Sequence, residues 1–147
     1  MNLHVKRFED FTLNELVEIY KFRIGIFVIE QNCPYAEIDD KDKVSYHIWL
    51  EEGNQIIAYC RAIPVGISFD DAASVGRVCS GKRRCGLGTI VVNKAIDIIQ
   101  NEFHAEEIAI HAQTYAKKFY EQFGFRQNSE EFIEDDIPHI EMRMNIK

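Results

Sequence analysis

The spacing of apolar side chains predicts a first amphipathic helix near the start of the chain. Apolar positions recur every three or four residues, at Leu13, Leu16, Val17, Tyr20, Ile24, Phe27 and Val28. Thr12 and Glu15 precede and enter this segment at the spacing of a capping box, which marks a helix start. The helix is expected to end near Asn32-Cys33-Pro34, because a residue before proline disfavours the helical conformation.

Alternating and β-rich segments predict the strands. The first is 3–8, and the others cover 44–51, 55–65, 74–80, 107–112, 125–132 and 139–146. Glu52-Gly53-Asn54 predicts a hairpin turn between two of them. Two more helices are predicted, at 86–103 and at 115–123, and Gly124 follows the second as a C-terminal cap.

The order of these segments predicts the fold class. It runs strand, helix, three strands, helix, strand, helix, two strands, which is typical of an α/β (α+β) protein. We therefore expect a mixed, mostly antiparallel central sheet flanked by helices. A chain of 147 residues suits one domain, 1–147, with one core, and it contains no linker or internal repeat.

A glycine loop between a predicted strand and a predicted helix is the strongest chemical signal. It reads Arg83-Arg84-Cys85-Gly86-Leu87-Gly88. Glycines let backbone N–H groups approach an anion, and a helix N-terminus adds partial positive charge. The two arginines suit a pyrophosphate. The loop lacks the Gly-Lys-Ser/Thr end of a P-loop, and position 91 is Val where a dinucleotide fingerprint has its third glycine. The alternative is a tight turn with exposed basic residues.

Charge and composition narrow the class of partner. The net charge is −7, which disfavours general nucleic-acid binding and favours cationic partners such as amines. We see no signal-peptide pattern and no window near the ~18 apolar residues of a membrane span, so we expect a cytoplasmic protein that does not bind membranes. The four cysteines are scattered, which predicts free thiols and no metal site.

Two segments together resemble the GCN5-related N-acetyltransferases (GNAT). One is the glycine loop, and the other is 115–125, where a helix with a tyrosine runs into Gly-Phe. The element order matches the fold of that family along nearly the whole chain. The chain also resembles the ElaA-like subgroup, on the residues Phe27-Val28-Ile29-Glu30-Gln31-Asn32-Cys33-Pro34-Tyr35, Glu37, Asp39, Asp42, His47 and Ile137-Pro138-His139-Ile140-Glu141-Met142.

This resemblance implies acetyl-CoA as cosubstrate, no metal, and a set of donor-binding residues. The pyrophosphate would contact Arg83, Arg84, Gly86, Leu87, Gly88 and Thr89, and the pantetheine arm would contact Val78, Cys79, Ser80, Tyr115 and Phe119. The chain departs from many members at two positions. Arg84 stands where they have glycine, and Tyr115 stands where they have asparagine.

The resemblance also implies direct attack of an amine on the thioester. The backbone N–H of Val78, on a bulged fourth strand, would stabilise the oxyanion, and Tyr120 would protonate the leaving thiolate. Glu37 would bind the acceptor ammonium and pass its proton to water, or His139 would act as base. Ordinary structural roles stay open for each of the four, and so do roles as base for Glu30, Asp39, His47 and His111. The acidic residues Glu130, Glu131, Glu134, Asp135 and Asp136 are predicted to form a solvated hairpin or loop.

Three functions are compatible with this sequence. The first is acetyl transfer to a primary amine, and the second is a non-catalytic acyl-CoA-binding sensor. The third is a nucleotide-phosphate binder that uses the same loop. Tyr120 favours the enzyme, because a binding protein would not require it. The acceptor stays open among polyamines, amino sugars, other small amines and protein amines, and a homodimer through the last strands is one arrangement that the sequence allows.

Overall fold

The computed structural model describes residues 1–81 and 86–147. It contains eight strands and three α-helices within those ranges. In chain order they are β1 (Asn2–Arg7), α1 (Leu13–Ile24), β2 (Tyr46–Glu52), β3 (Gln55–Ile63), β4 (Ser74–Ser80), α2 (Leu87–Glu102), β5 (Glu107–Gln113), α3 (Lys117–Glu121), β6 (Arg126–Gln127), β7 (Phe132–Glu134) and β8 (Ile137–Asn145). No helix in these ranges has the length and apolarity that crossing a bilayer requires.

The strands form two antiparallel sheets that meet beside Ala73. One sheet has the order β1-β2-β3-β4, and the other has β5-β8-β6, with β7 also paired to β8. Ala73, just before β4, forms a parallel bridge with Ile108 of β5. Its N–H donates to the Glu107 carbonyl at 3.1 Å, and its carbonyl accepts from Ala109 N–H at 2.9 Å. Among the described residues, no further bridge joins β4 and β5, so the two sheets separate beyond Ala73.

Alternation along β2 and β3 directs side chains to two cores. Ile48 and Leu50, with Ala58 and Cys60, face α2 in the main cluster, where Val91 and Val92 of that helix are fully buried. Trp49 and Tyr59 face the other way and pack against Ile19 of α1. Successive residues of β2 and β3 therefore pack in turn towards α2 and towards α1, and the two helices cover opposite faces of this sheet.

The predicted architecture and element order are confirmed. The capping box is present, since Glu15 N–H donates to Thr12 Oγ1 at 3.1 Å and Thr12 N–H donates to Glu15 Oε1 at 2.9 Å. The first helix continues beyond α1 as π-helical turns, Gly25–Glu30, with Gln31 as the C-cap, and Asn32 then adopts a left-handed φ of 49°. The strand predicted at 125–132 is wrong in detail, because it divides into the short strands β6 and β7.

A buried network of arginines and carboxylates fastens the 31–45 segment to the sheet. Arg23 of α1 donates to Glu37 Oε2 at 2.9 Å and to Asp42 Oδ1 at 2.8 Å. Arg61 of β3 donates to both oxygens of Asp39, at 2.6 and 3.0 Å, and to Asp42 Oδ1 at 2.9 Å. Buried charges are tolerated only when they are paired, so these contacts hold the segment in one position.

His47 completes this network as a neutral side chain. Its Nε2 donates to the Asp42 carbonyl at 2.8 Å, which can only accept, so Nδ1 accepts from the Tyr59 hydroxyl at 2.6 Å. Burial lowers the pKa of His47 to about 4. The unfolded chain therefore binds this proton more tightly than the folded one, and stability falls as the pH drops from ~6.5 towards 4.

The substitution His47→Gln should flatten the acid side of the stability profile. The glutamine amide can keep one donor and one acceptor but cannot titrate. Between pH 7 and pH 5 the free energy of unfolding of the wild type should fall by about 1–2 kcal/mol more than that of the variant. Urea unfolding at the two pH values measures this, with His104→Asn as the control at an exposed histidine. Equal losses in wild type and His47→Gln would contradict the assignment.

Candidate active site

A cleft of about 750 Å³ opens where β4 and β5 separate. One wall is β4, and the other is the end of β5 with the β7–β8 hairpin. The start of α2 and the segment 115–120 close one end of the cleft, while Phe27 and Tyr35 come from the α1 side. The cleft therefore lies along the strand edges that separate beyond the bridge at Ala73.

The β4 wall contains a bulge centred on Arg77. Across the β3–β4 pair, Arg61 lies opposite Gly76 and Tyr59 lies opposite Cys79, so β4 has one residue more than β3 in this interval. Arg77 adopts a left-handed φ of 52°, which is rare outside glycine. The bulge expected in the fourth strand is present, and it takes Arg77 and Val78 out of the regular ladder. Val78 lines the cleft, as do Cys79 and Ser80 after it.

The first turn of α2 closes one end of the cleft. Gly86 precedes the helix with a φ of 69°, and no acidic residue occupies the first turn. A Cβ on Gly88 would lie only 3.2 Å from the Phe119 ring, so glycine permits this close approach. The predicted residues Gly86, Leu87, Gly88 and Thr89 all line the cleft. Arg83 and Arg84, predicted to contact a pyrophosphate, lie outside the described residues.

Aromatic side chains from 115–120 line the cleft beside this helix end. Tyr120 packs edge-on against Phe119, with ring centroids 5.0 Å apart, and against Phe125 at 5.9 Å. Burial raises the pKa of the Tyr120 phenol well above its usual value, so the hydroxyl keeps its proton at neutral pH. Tyr115 also lines the cleft but is 79% exposed. Of the two, Tyr120 is therefore the more buried and the more closely held by neighbouring rings.

Glu37 does not face the cleft, which corrects the expectation that it binds the acceptor. It is 3% exposed. Its Oε2 lies 2.9 Å from Arg23 Nε and 2.7 Å from Arg77 Nε. Among the described residues, those lining the cleft do not include Glu37. A carboxylate already shared by two guanidiniums is a poor receptor for an ammonium. Its contacts instead join the 31–45 segment to α1 and β4.

His139 does line the cleft, at the start of β8. Its Nδ1 donates to the Ile137 carbonyl at 2.7 Å, which leaves a lone pair on Nε2 whenever the ring is neutral. This arrangement suits a base. In the described part of the chain, no group of three or more His, Cys, Asp and Glu side chains is arranged to hold a metal ion.

Two features of the site were missed at the level of sequence. Arg77 joins the bulge to the buried network, and nothing in the spacing of β4 indicates a left-handed residue there. A solvated hairpin or loop was predicted at the acidic cluster, and Asp135 and Asp136 are exposed in a hairpin turn, but Glu134 beside them lines the cleft, which was not predicted. Asp135 and Asp136 both have positive φ, 51° and 62°, as a two-residue type I′ hairpin turn requires. Interpreting Asp-Asp as that turn would have placed Glu134 in a strand.

Comparisons with known proteins agree with this geometry. The sequence model described as acetyltransferase (GNAT) domain matches residues 25–146. A UPF0039 protein from Schizosaccharomyces pombe is 33% identical over 96% of this chain and 95% of its own length. The protein ElaA from Escherichia coli is 30% identical over 93% of this chain and 92% of its own.

Solved structures give the same result. An acyl-CoA N-acyltransferase from Pseudomonas aeruginosa superposes with a TM-score of 0.88 at 31% identity, covering 98% of this chain and 99% of that one. The crystal structure of Escherichia coli ElaA superposes with a TM-score of 0.90 at 26% identity, covering 99% of this chain and 100% of that one. The resemblance seen in the glycine loop and the 115–125 segment is confirmed.

The buried position of Glu37 predicts a loss of stability when its charge is removed. Glu37→Gln keeps the shape of the side chain but leaves Arg23, which is 0% exposed, without a charged partner on one side. The free energy of unfolding should fall by about 3 kcal/mol, as for other broken buried pairs. The matched control is Asp40→Asn on the same segment, where the side chain is 95% exposed. Urea unfolding compares them, and wild-type stability in Glu37→Gln would contradict the assignment.

Proposed function

The chain belongs to the GCN5-related N-acetyltransferase family, whose general activity is acyl transfer, and we propose that it moves the acetyl group of acetyl-CoA to a primary amine by direct attack. The observation that carries this proposal is the position of the β4 bulge. It lies in a cleft that the start of α2 closes at one end and that Tyr120 also lines.

Donor binding is assigned to the β4 wall and the start of α2. The N–H groups of the first helical turn have no partner within the helix, and the helix dipole adds positive charge, so this end suits the pyrophosphate. Because Gly88 has no side chain, the backbone at the start of α2 can pack close to the Phe119 ring. Val78, Cys79 and Ser80 provide the strand along which the pantetheine arm would lie. Burial keeps Cys79 a neutral thiol by raising its pKa well above the usual value, so it would not compete as a nucleophile.

The chemical step needs an oxyanion donor, a base and an acid. The N–H of Val78, displaced from the ladder by the bulge, is the donor for the charge that develops on the thioester oxygen. His139 Nε2 takes a proton from the acceptor ammonium, and the neutral amine then attacks the carbonyl carbon. Tyr120 donates its phenolic proton to the departing thiolate and regains one from the nitrogen of the new amide by way of solvent. One proton is released for each acetyl group transferred.

A thiol-release assay separates this enzyme from an acyl-CoA-binding sensor. The protein is mixed with acetyl-CoA and a panel of amines, while calorimetry measures CoA binding in parallel. Amine-dependent release of free thiol supports the enzyme. Binding of CoA without release for any amine supports the sensor.

We further propose a cytoplasmic site of action, in keeping with free thiols at Cys33, Cys60 and Cys79.

Changing Gly86 should weaken donor binding without unfolding the protein. Gly86→Val forces a β-branched residue into a left-handed backbone at the start of α2, where a Cβ meets no atom within 4 Å. We expect the CoA dissociation constant to rise at least about tenfold, equivalent to about 1.4 kcal/mol. Gly53→Val is the matched control, because Gly53 has a φ of 54° in the β2–β3 turn, and its Cβ also meets nothing within 4 Å. Calorimetry showing equal affinities in the two variants would contradict the donor site.

Removing the Tyr120 hydroxyl should slow chemistry and leave binding intact. Tyr120→Phe keeps the ring contacts with Phe119 and Phe125. The turnover rate should fall by roughly 10- to 10⁴-fold, the range of general acid catalysis. Single-turnover kinetics at saturating acetyl-CoA avoid masking by slow product release. Phe123→Leu, a change at another neighbour of the Phe119 ring, controls for packing. A wild-type single-turnover rate in Tyr120→Phe would show that Tyr120 lines the cleft without taking part in proton transfer.

A further inference from the structure

Three strands place a set of polar and aromatic side chains on one face of the cleft. The register of β5, β7 and β8 puts Gln113 opposite His139, Phe132 opposite His139, and Glu134 opposite Ile137. Side chains of paired residues point to the same face, and so do residues two apart on one strand. His111, Glu134 and His139 therefore share a face, and all three line the cleft.

Glu134 lies between the two histidines. Its Oε1 accepts from His111 Nδ1 at 2.9 Å, and its Oε2 lies 3.7 Å from His139 Nε2. The hydrogen bond from His111 lowers the pKa of Glu134, so its side chain is an anion at neutral pH. Oε2 accepts hydrogen bonds, and so does Nε2 in the neutral imidazole. An ammonium nitrogen placed beside the gap can donate to both atoms at once, because it carries three N–H bonds.

Aromatic rings fix both imidazoles in these positions. The His111 ring lies edge-on to Phe69 at 5.1 Å and to Phe132 at 4.9 Å. Phe132 also stacks on His139 at 6.1 Å, with planes 22° apart. Phe69 lines the cleft next to the polar set, as do Phe27 and Ile63. Apolar rings therefore flank both histidines, although His111 and Glu134 stay partly open to solvent, at 38% and 42% side-chain exposure.

A lysine that lines the cleft limits the charge that the acceptor can carry. Lys41 lines the same cleft, and its amine forms no ion pair or hydrogen bond with a side chain in the described ranges. The backbone N–H of Lys41 donates to Asp39 Oδ1 at 3.1 Å, so the residue stands beside the buried network, and it lines the cleft that Glu134 also lines. The carboxylates of the network are already matched by Arg23, Arg61 and Arg77. A second positive charge on the acceptor would therefore meet repulsion from Lys41.

We propose that Glu134 and His139 form the receptor for the acceptor amine, with His111 positioning Glu134, and that the acceptors are small primary amines with one positive charge and an apolar body. This inference rests on the acyl-transfer function proposed above and names its substrate class. The ammonium donates one N–H to Glu134 Oε2 and another to His139 Nε2. One of those protons moves to Nε2, and Glu134 stabilises the imidazolium until the proton passes to solvent. The lone pair freed on the nitrogen forms the bond to the acetyl carbon as the carbon–sulfur bond breaks, the thiolate takes its proton from Tyr120, and the new amide nitrogen loses its extra proton to solvent.

Glu134→Gln tests the receptor, with Glu131→Gln as the matched control on the same acidic segment. Steady-state kinetics with phenethylamine as acceptor should show the Michaelis constant for the amine raised at least tenfold in Glu134→Gln. The dissociation constant of acetyl-CoA should stay within twofold of wild type, and Glu131→Gln should match wild type in both. A merely structural role for Glu134 would change both constants or neither, and either result overturns the proposal.

The charge limit has its own test. Phenethylamine should be a better acceptor than putrescine or spermidine, with a specificity constant at least tenfold higher. Lys41→Gln should reduce this preference at least threefold, because the repelling charge is gone. Equal or better turnover of the polyamines by the wild type would overturn the assigned substrate class, and so would an unchanged preference in Lys41→Gln.

Direct binding separates failure of this inference from failure of the acyl-transfer function. In the presence of CoA, phenethylamine should shift the ring resonances of His139 in an NMR titration, and Glu134→Gln should weaken that shift. If no amine supports thiol release but this shift is seen, the receptor stands and the acyl-transfer function fails. If thiol is released with some amine but the His139 resonances do not move and Glu134→Gln behaves as wild type, the receptor is wrong and the function stands. Absence of both thiol release and the shift contradicts both proposals.

Discussion

The structure depends on the left-handed backbone at Arg77. A non-glycine residue in this conformation costs about 1–2 kcal/mol, so surrounding contacts must hold it there. The side chain of Arg77 supplies them, since Nη2 donates to the Glu37 carbonyl at 2.9 Å and the guanidinium lies 5.3 Å above the Tyr35 ring. The same residue therefore bends β4 and anchors the segment that covers the α1 face. Because β4 bulges here, the strand continues along an open cleft through Val78 to Ser80.

The buried network and the β7–β8 hairpin differ in the charge that they present to the cleft. Three arginines and three carboxylates neutralise one another around Asp42, so this part of the acidic chain presents little net charge to the cleft. Glu134 is different, because its partner is the imidazole of His111 and not a guanidinium. Among the described residues, the charge at the cleft is consequently set largely by the β7–β8 hairpin and by Lys41. An acidic loop can therefore stabilise the fold without adding negative charge to the cleft.

Periodicity and end signals were sufficient to predict the element order, because α2 buries one regular face, β3 is an uninterrupted β-rich run, and the capping box marks the start of α1. The glycine loop and the 115–125 segment were sufficient for the family. The side chains at the hairpin end of the cleft were not predictable in the same way. Glu37 and Glu134 both stand in acidic stretches, and only the three-dimensional partners distinguish them. Arg23 and Arg77 contact Glu37 from elements distant in sequence, whereas Glu134 is turned towards the cleft by a two-residue turn.

The residues of the buried ion network are different from the charged residues at the hairpin end of the cleft, and this affects how acceptor specificity can vary on this fold. Glu134 and Lys41 are half-buried residues on short surface segments, and neither belongs to the core around α2 or to the pairs that Arg23 makes. Substitutions there change charge at the cleft without leaving a buried ion unpaired. Substitutions at Glu37, Asp42 or Arg61 do leave one, at a cost of about 3–5 kcal/mol, which is a large part of the stability of a small domain. The hairpin is therefore the part of the cleft where a change of acceptor is least opposed by the requirements of folding.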